Sequence, residues 1–322
     1  MNDDDDHLQW QPVAGLETLR ARANLLAQIR AFFHGRGVLE VETPLVSSAT
    51  ASDPHIPSLT VGDPSSPESP FYLATSPEFA MKRLLTSGSG PIFQIARAFR
   101  AGESGRLHNP EFTLLEWYRP GFDHHALIDE VEALVVTLTQ WPKFRRITYR
   151  ALFLDVLGLD PITVKDSQLH ARALMSGNRE NVELDRDTCL DLLLSHEIVP
   201  AMGEAPTFVF DYPASQAALA RVSERDPAVA ERFELFAGGL ELANGFHELT
   251  DSQEQRRRFR RDLEDRKRWS LPLVQMDERL LGALDAGMPP SAGVALGIDR
   301  LLMLMLGAEN IDAVLSFPFS RA

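Results

Sequence analysis

Two arginines that are far apart in the chain are placed where a bound phosphate would meet them. Arg100 follows a predicted strand, Ile92–Phe99, and opens a polar loop that runs to Glu111. Arg300 falls shortly after Gly297, in the first turn of a predicted apolar helix. A guanidinium is always charged and can grip a phosphate through two parallel hydrogen bonds, and a helix N-terminus also attracts anions. The pair therefore indicates a site for a phosphate compound.

A plainer interpretation of the same loop stays open. Arg100 and Arg106 are also typical of solvated loop arginines that pair with nearby acids, here Glu103 and Glu111. The residues of the loop alone do not separate these two interpretations.

Two acids lie in a predicted strand that is otherwise apolar. Glu241 is a candidate ligand for Mg²⁺ beside ATP phosphates, because magnesium takes oxygen ligands and often one or two carboxylates. Glu248 is a candidate to neutralise a substrate ammonium, and a pair of buried structural ion pairs is the alternative. His247 does not complete a metalloprotease motif, because no histidine follows it at the required spacing. A period of two places one face of the strand at Leu240, Leu242, Asn244, Phe246 and Glu248. Glu241, Gly245 and Leu249 are expected to be opposite this face or displaced from it.

Hydrophobic periodicity predicts the elements that position these groups. Residues 92–99 and 112–118 form an antiparallel hairpin, and residues 233–237 and 240–249 form another with a Gly-Gly turn. Ser76 caps a helix that has Pro77 at its first position, and Asp123 caps a helix that ends near residue 139. His124 and His125, at the start of that helix, are expected to face solvent. The remaining predicted strands are 38–41, 71–74 and 207–212, and the remaining predicted helices are 16–33 and 252–268.

Composition limits the classes of function. The 322 residues carry a net charge of −14, which argues against an extended nucleic-acid surface. Cys189 is the single cysteine, so no internal disulfide is available and a reducing, cytoplasmic location is expected. No membrane partner is expected, because no apolar run approaches the ~18 residues of a membrane span. Neither a P-loop nor a dinucleotide fingerprint is present, so phosphates must be held in another way.

Several separated motifs resemble those of the class II aminoacyl-tRNA synthetases. Residues 39–44 (LEVETP) look like motif 1, residues 99–100 (FR) with 109–112 (NPEF) look like motif 2, and residues 297–300 (GIDR) look like motif 3. Residues 75–78 (TSPE), 108–113 (HNPEFT) and 241–249 (ELANGFHEL) are similar to lysyl-tRNA synthetases in particular. The resemblance implies an α/β (α+β) catalytic fold with a mostly antiparallel sheet flanked by helices.

The resemblance also implies a domain arrangement. Residues 1–15 are expected to form a flexible acidic arm, and residues 16–322 are expected to form the catalytic domain, with a helical insertion at about 140–206. In the class II family the first helix and strand form a dimer interface, so a homodimer is expected.

By resemblance, ATP and Mg²⁺ are the expected cofactors. Arg100 and Arg300 are the expected catalytic residues, Phe112 stacks on adenine, and Glu241 binds the metal. The complete expected ATP-binding set is Arg100, Ala101, Gly102, His108, Asn109, Phe112, Glu241, Leu242, Gly297 and Arg300. Class II motif 2 usually has an acid where this chain has Gly102, so Glu103 or a backbone group is expected to replace that contact.

The expected amino-acid pocket is rich in acids. Glu78 is assigned by resemblance to the amino group of the substrate, and the surrounding carboxylates suit a substrate with two ammonium groups. An aspartate-type substrate would instead require Lys or Arg. The complete expected substrate-binding set is Ser76, Pro77, Glu78, Glu116, Tyr118, Glu248 and Ala295.

The narrower resemblance is to the ligases that attach (R)-β-lysine to a lysine side chain of elongation factor P. It implies elongation factor P and (R)-β-lysine as substrates. Ala295 stands where the synthetases usually have glycine, and we hypothesise that it favours the shifted β-amino group. Lysyl-tRNA synthetases carry an anticodon-binding domain before the catalytic domain, whereas this sequence starts essentially at the catalytic motifs, so stable tRNA binding is not expected.

Two alternatives stay open. One is a stand-alone enzyme that forms lysyl-adenylate and charges tRNA or a small molecule. The other is a catalytically silent module that binds and senses an amino acid. Retention of Arg100, Arg300, Glu241 and Glu248 argues against the silent module, since a sensor does not need groups that stabilise phosphates.

Overall fold

The structure is a computed structural model that describes residues 10–62, 70–142, 144–177 and 184–322. The chain divides into two compact units. The first unit comprises Met1–Gly121, Thr250–Pro290 and Ala295–Ala322. The second comprises Phe122–Leu249 and Ser291–Val294.

The strands and helices have the following bounds. The strands are β1 (Leu39–Glu40), β2 (Val46–Ser47), β3 (Thr60–Val61), β4 (Phe71–Leu73), β5 (Ile92–Phe99), β6 (Glu111–Pro120), β7 (Arg145–Thr148), β8 (Thr207–Pro213), β9 (Val229–Ala237), β10 (Leu240–His247) and β11 (Ser291–Gly297). The helices are α1 (Leu16–His34), α2 (Glu78–Thr86), α3 (His124–Thr139), α4 (Tyr149–Leu157), α5 (Asp166–Ser176), α6 (Arg186–Leu193), α7 (Val199–Ala201), α8 (Ser252–Arg268), α9 (Glu278–Asp285) and α10 (Ile298–Leu306).

The predicted hairpin of the first unit is confirmed. β5 and β6 pair antiparallel in unbroken register from Ile92 opposite Tyr118 to Phe99 opposite Glu111. β1 adds to β5 in parallel, and β6 is followed in the sheet by β11. A separate small sheet has the order β2-β4-β3. The long hairpin forms because both strands alternate apolar and polar residues, so that one register buries a complete apolar face.

Helix α1 packs on this hairpin through aromatic side chains. Phe33 stacks on Phe93 with ring centroids 4.6 Å apart and meets Trp117 edge-on at 5.2 Å. All three side chains are fully buried, and burying an aromatic side chain of this size contributes about 1.5–3 kcal/mol. The predicted helix 16–33 is therefore confirmed, one residue longer at its C-terminal end.

The expected loose arm is too long. Residues 1–9 lie outside the described residues, but Val13 and Ala14 donate backbone hydrogen bonds of 2.9 and 3.1 Å to the carbonyls of Ser316 and Leu315. Ala14 is buried. The chain is thus held in place before α1 begins, because main-chain pairing with a distant segment is invisible to local sequence patterns.

The second unit is built on the other predicted hairpin, which is also confirmed. β9 and β10 pair antiparallel across Gly238 and Gly239, whose φ angles of +56° and +72° suit the turn that favours glycine at both positions. β8 pairs antiparallel with β9 and parallel with β7, which gives the order β11-β10-β9-β8-β7.

The predicted helical insertion at about 140–206 needs a correction. It contains a strand, β7, which pairs with β8. Helices α4, α5 and α6 follow and pack with β8 around a core that includes Tyr149, Phe153 and the buried Cys189. The four residues of β7 are mostly polar, so their sequence does not predict a strand. They form one because they pair with β8.

The expected fold class is confirmed. Antiparallel hairpins form most of the sheet, with parallel pairing at β1–β5 and β7–β8, and helices flank it. Within the described ranges, every helix is too short or too polar to traverse a lipid bilayer.

Candidate active site

Three predicted substrate residues meet through one buried carboxylate. Glu116 Oε2 accepts a hydrogen bond of 2.8 Å from Ser76 Oγ, and Glu116 Oε1 accepts one of 2.7 Å from Tyr118 Oη. Glu116 and Tyr118 share a face of β6 because a strand alternates with a period of two. Ser76 precedes α2, and its Oγ also accepts a hydrogen bond of 3.0 Å from the backbone N–H of Glu78. The first residue of α2 is Glu78, so Pro77 occupies the cap position rather than the predicted first turn.

A buried lysine that the sequence analysis missed completes this group, which we call the carboxylate cluster (Ser76, Glu78, Lys82, Glu116 and Tyr118). Lys82 Nζ donates a hydrogen bond of 2.6 Å to Glu78 Oε1, one helical turn earlier. Lys82 is only 1% exposed, and a lysine is almost never buried without a paired charge. The spacing of Glu78 and Lys82 on one helix face was the available signal.

Burial, and the charge of Glu78 in the same direction, raise the pKa of Glu116 to about 7. Hydrogen bonds from Tyr118 and Ser76 and the charge of Lys82 act in the opposite direction. The carboxylate cluster therefore holds one strongly perturbed acid. Such groups are concentrated at functional sites, because binding and catalysis require shifted protonation equilibria.

Arg100 lies at the end of β5 against the start of β6. Its Cζ is 5.0 Å from the ring centroid of Phe112, and its Nη1 is 3.5 Å from Glu103 Oε1. The Arg100 Nε is buried and has no hydrogen-bond partner among the described residues. Glu103 thus lies beside Arg100, where Gly102 has no side chain to offer, and this is the pair that the plainer interpretation of the loop predicted for Arg100. The phosphate-binding role of Arg100 stays a prediction.

The other charged residues of the loop have different partners. Arg106 Nη1 donates a hydrogen bond of 3.0 Å to the carbonyl of Glu309, and Glu111 pairs with Arg97 at 3.5 Å. The proposed pairing of Arg106 with Glu111 is therefore wrong.

Arg300 approaches the same loop from helix α10. Gly297 caps this helix in an extended conformation, as predicted, and Arg300 falls in its first turn. Arg300 Nη2 is 2.6 Å from His108 Nε2. Burial lowers the pKa of His108, and the positive charges of Arg300 and Arg100 lower it further. Both predicted phosphate-binding arginines therefore lie close enough to His108 to act on the same imidazole.

Other predicted ATP-binding residues mainly shape the loop. Asn109 Nδ2 donates to the carbonyl of Glu111 at 2.6 Å, and its Oδ1 accepts from the backbone N–H of Phe319 at 2.9 Å. The Ala101 N–H donates to the carbonyl of Pro57 at 2.8 Å, so it is engaged within the protein. Gly102 has a φ angle of +77°, a conformation that favours glycine.

Asp299 belongs to the motif at residues 297–300, but no separate role was predicted for it. Asp299 is 2% exposed, and its Oδ2 accepts a hydrogen bond of 2.7 Å from the backbone N–H of Thr113. Its Oδ1 accepts from Arg22 of α1. Asp299 therefore ties the residue next to Arg300 to strand β6, which fixes the start of α10 against the loop. Ala295 is half-buried on β11, two residues before Gly297.

In the second unit the face assignment of β10 is corrected. The register shifts between Glu241 and Ala243, so that Glu241 pairs with Phe236 whereas Asn244 pairs with Glu234. Phe236 and Glu234 share a face of β9, and paired residues point to the same side, so Glu241 shares a face with Asn244. Leu242 is the extra residue of this bulge and is buried. Period two failed here because a bulge inserts one residue into the alternation.

Glu241 and Glu248 differ in burial. Glu241 is exposed, whereas Glu248 is 2% exposed, and its backbone N–H donates a hydrogen bond of 2.9 Å to the carbonyl of Ser291. The roles predicted for Glu241, Leu242 and Glu248 stay predictions.

Chemically, the first unit offers two neighbouring features. The loop and α10 present permanent positive charge, which stabilises phosphate oxygens. The carboxylate cluster presents acids and a hydroxyl, which bind ammonium groups. An enzyme that joins a phosphate compound to an amino acid with an extra amine needs both.

Comparison with known proteins agrees with this chemistry. The family model described as "tRNA synthetases class II (D, K and N)" matches residues 5–321. A Vibrio cholerae protein named elongation factor P--(R)-beta-lysine ligase is 51% identical, covering 97% of this chain and 98% of its own length. Proteins of the same name from Edwardsiella ictaluri and Pasteurella multocida are 49% and 48% identical, and each alignment covers at least 97% of both chains. The chain therefore belongs to the class II tRNA synthetase family of the D, K and N type, together with these elongation factor P ligases.

Proposed function

We propose that this chain is an elongation factor P–(R)-β-lysine ligase. It activates (R)-β-lysine with ATP and transfers it to the side-chain amine of a lysine of elongation factor P. The observation that carries the proposal is the combination of near-full-length similarity to proteins of that name with a carboxylate cluster suited to a dication.

ATP fits the residues that are present. Arg100 keeps a buried Nε without a partner among the described residues. Arg300, in the first turn of α10, contacts His108 through Nη2. A phosphate chain placed beside His108 would accept hydrogen bonds from both guanidinium groups. The half-buried ring of Phe112, next to Arg100, is suited to stack on a purine, because every base has a π-face that can stack on an aromatic side chain.

The activation step is an in-line displacement. A carboxylate oxygen of (R)-β-lysine attacks the α-phosphorus of ATP, the bond from that phosphorus to the pyrophosphate oxygen breaks, and an aminoacyl-adenylate and pyrophosphate result. Arg100 and Arg300 stabilise the charge that grows on the phosphate oxygens, and no protein nucleophile is needed. Removing one such donor from an enzyme commonly costs about 10²–10³-fold in rate.

Mg²⁺ fits the donor chemistry of Glu241, an exposed carboxylate, and when bound it would neutralise phosphate charge. The carboxylate cluster orients the amino acid. Glu78, held by Lys82, and Glu116, held by Ser76 and Tyr118, each present a fixed oxygen to an ammonium group.

The transfer step makes an amide. The neutral amine of the acceptor lysine attacks the carbonyl of the adenylate, the bond to the phosphate oxygen breaks, AMP leaves, and the amine loses a proton. We place this reaction in the cytoplasm, in keeping with the single, buried Cys189.

Mass spectrometry tests the proposal directly. Elongation factor P is incubated with ATP, Mg²⁺, this protein and either (R)-β-lysine or α-lysine. A mass increase of one lysyl residue on a lysine of elongation factor P, larger with (R)-β-lysine, is expected. Pyrophosphate exchange is measured in parallel: exchange with transfer to tRNA instead would identify the stand-alone synthetase, and no exchange with any lysine isomer would identify a binding module.

The preference for the β isomer is assigned to Ala295. Its methyl group occupies space that the glycine of the synthetases leaves open, and this favours a substrate whose amino group is displaced by one carbon. Ala295→Gly is expected to lower the ratio of (R)-β-lysine to α-lysine activation. An unchanged ratio would contradict this assignment while leaving the ligase activity itself intact.

We also propose a homodimer through the first helix and strand. Leu16 and Leu39 are 60% and 55% exposed, and Leu45 and Val46 are also exposed, which is unusual for large apolar side chains grouped in one stretch of chain. Light scattering should give twice the mass of one chain. Leu39→Asp is expected to shift it towards one chain, and Leu154→Asp, at an exposed leucine of α4, serves as the control.

A further inference from the structure

Two histidines and a glutamate of the second unit converge outside the groups described above. They are His124 at the start of α3, Glu231 on β9 and His247 at the end of β10. One ligand atom from each of the three lies within 4.8 Å of the others. We call this group the histidine cluster.

The cluster is enclosed. His124 is 5% exposed, which corrects the expectation that it faces solvent. Glu231 and His247 are half-buried. His125, the next residue, stays exposed, and its ring centroid is 4.0 Å from that of His124. The site is therefore reachable from solvent on the side of Glu231 and His247, but His124 is fixed inside the unit.

The hydrogen bonds of the cluster leave a ring nitrogen unused. His124 Nε2 is 3.2 Å from Asp211 Oδ1, whereas His124 Nδ1 is buried and has no partner among the described residues. His247 Nδ1 is 2.5 Å from Glu231 Oε2. A buried nitrogen without a partner carries an uncompensated desolvation cost, and a ligand that accepts its lone pair would offset that cost.

The backbone that supports the cluster is specialised. Asp211 has a φ angle of +58°, a left-handed conformation that is uncommon for a residue with a side chain, and the register of β8 and β9 shifts at this residue. This bulge directs the Asp211 carboxylate to His124. A histidine that binds a metal almost always donates its other ring N–H to a carboxylate or carbonyl, which fixes the tautomer and the ring orientation.

The donor set selects the kind of ion. Imidazole nitrogens with a carboxylate suit Zn²⁺ and similar first-row ions, whereas Mg²⁺ and Ca²⁺ prefer oxygen ligands. Two histidines and one glutamate leave a tetrahedral Zn²⁺ with an open fourth position.

We propose that the histidine cluster binds one Zn²⁺-type ion through one ring nitrogen of His124, one ring nitrogen of His247 and the Glu231 carboxylate, with Asp211 orienting His124. On binding, the ion replaces the proton that His247 and Glu231 share. Zinc–nitrogen bonds of about 2.0–2.1 Å require donors about 3.3 Å apart, so the donor atoms, which now lie within 4.8 Å of one another, must draw closer on binding.

A nearby cation competes with the ion. Arg221 Nε lies 3.7 Å from Glu231 Oε2, and its Nη2 pairs with Glu224. Binding therefore requires Glu231 to turn one carboxylate oxygen away from Arg221 and towards the ion. The Arg221 guanidinium keeps its ion pair with Glu224. This competition predicts an affinity below that of a site without an adjacent arginine.

The test uses the complete chain, stripped of metal by chelation and dialysed against Zn²⁺. Elemental analysis is expected to find one Zn²⁺ per chain. Glu231→Gln and His247→Asn are each expected to weaken binding at least tenfold. His196→Asn, at an exposed histidine of the same unit, is the matched control and should bind as the parent does.

Co²⁺ gives a second readout on the unaltered protein, so the inference does not depend on any variant folding. A tetrahedral site with nitrogen and oxygen ligands is expected to give a strong visible absorption band that Zn²⁺ abolishes. The absence of both stoichiometric Zn²⁺ and this band would overturn the proposal, as would equal binding by Glu231→Gln and the parent. Neither result depends on ligase activity.

Discussion

Arg300 Nη2 lies 2.6 Å from His108 Nε2. A guanidinium has no lone pair to offer, so the imidazole must accept this hydrogen bond and carries its own proton on Nδ1. The lowered pKa of His108, caused by its burial and by Arg300 and Arg100, agrees with a neutral ring. A neutral His108 can hold the Arg300 side chain in place without removing its charge from the phosphate site.

Replacing either phosphate-binding arginine tests that arrangement. Arg100→Lys and Arg300→Lys are each expected to reduce pyrophosphate exchange by about 10²–10³-fold, because a lysine cannot donate two parallel hydrogen bonds. The control is Arg83→Lys, at an exposed arginine of α2, which should exchange at the rate of the parent. Full activity in Arg100→Lys would show that its guanidinium serves only the ion pair with Glu103.

We expect the binding of the amino acid to weaken at acid pH, because Glu116 then becomes protonated. Burial and Glu78 raise the pKa of Glu116 to about 7, so below that pH the free protein holds it protonated and binds a dication poorly. KM for the amino acid should therefore rise as the pH falls below about 7. Tyr118→Phe removes a hydrogen bond that lowers the pKa of Glu116, so the pH below which KM rises should be higher in this variant. Tyr72→Phe is the control, and an identical pH profile for Tyr118→Phe would refute the assignment.

The same pKa shift predicts an effect on stability. The pKa of Glu116 is higher in the folded state than in the unfolded state, so the folded state binds the extra proton and stability falls as the pH rises from about 4.5 to about 7. Glu116→Gln has no carboxyl group to titrate at this position. Its free energy of unfolding relative to the parent should therefore increase from about pH 4.5 to about pH 7 and stay constant at higher pH. The gain at pH 8 is on the order of 3 kcal/mol at most. Thermal unfolding at pH 5 and pH 8 measures it, and an equal change in Tm at both pH values would argue against it.

Lys82 should be essential for folding at neutral pH. Lys82→Met leaves Glu78 without its 2.6 Å hydrogen bond beside buried Glu116, and breaking a buried ion pair typically costs about 3–5 kcal/mol. Denaturant unfolding should show the loss, and Glu78→Gln in the same chain should restore part of it. Lys267→Met, at an exposed lysine of α8, should change stability little. A Lys82→Met variant as stable as the parent would refute a stabilising pair between Lys82 and Glu78.

Gly245 is required by close packing in the second unit. A Cβ at this position would lie 2.4 Å from Cζ of Phe233, the residue it pairs with on β9. Gly245→Ala should lower Tm, since overpacking a core typically costs about 1–3 kcal/mol, and Phe233→Leu should partly restore it by removing the ring. Gly282→Ala provides the control: Gly282 lies in α9 with open space around it, and alanine there should be neutral or stabilising. Additive effects of Gly245→Ala and Phe233→Leu would disprove the contact.

Local residue patterns were enough to predict several elements of the fold. The alternation in residues 92–99 and 112–118, the Gly238-Gly239 turn and the Asp123 cap each specify a strand, a turn or a helix end within a few residues, and all three are observed. The class II motifs also indicated the family, because their residue types and order are specific even without a structure.

Tertiary structure decided what depends on pairing between distant segments. The bulge at Leu242 turns Glu241 to the face of Asn244, and the partner strand, not the β10 sequence, fixes that register. Likewise, β7 is a strand because β8 pairs with it, and Lys82 and His124 are buried because other elements cover them. Burial and strand register depend on which residues are neighbours in space. A local sequence pattern does not contain that information.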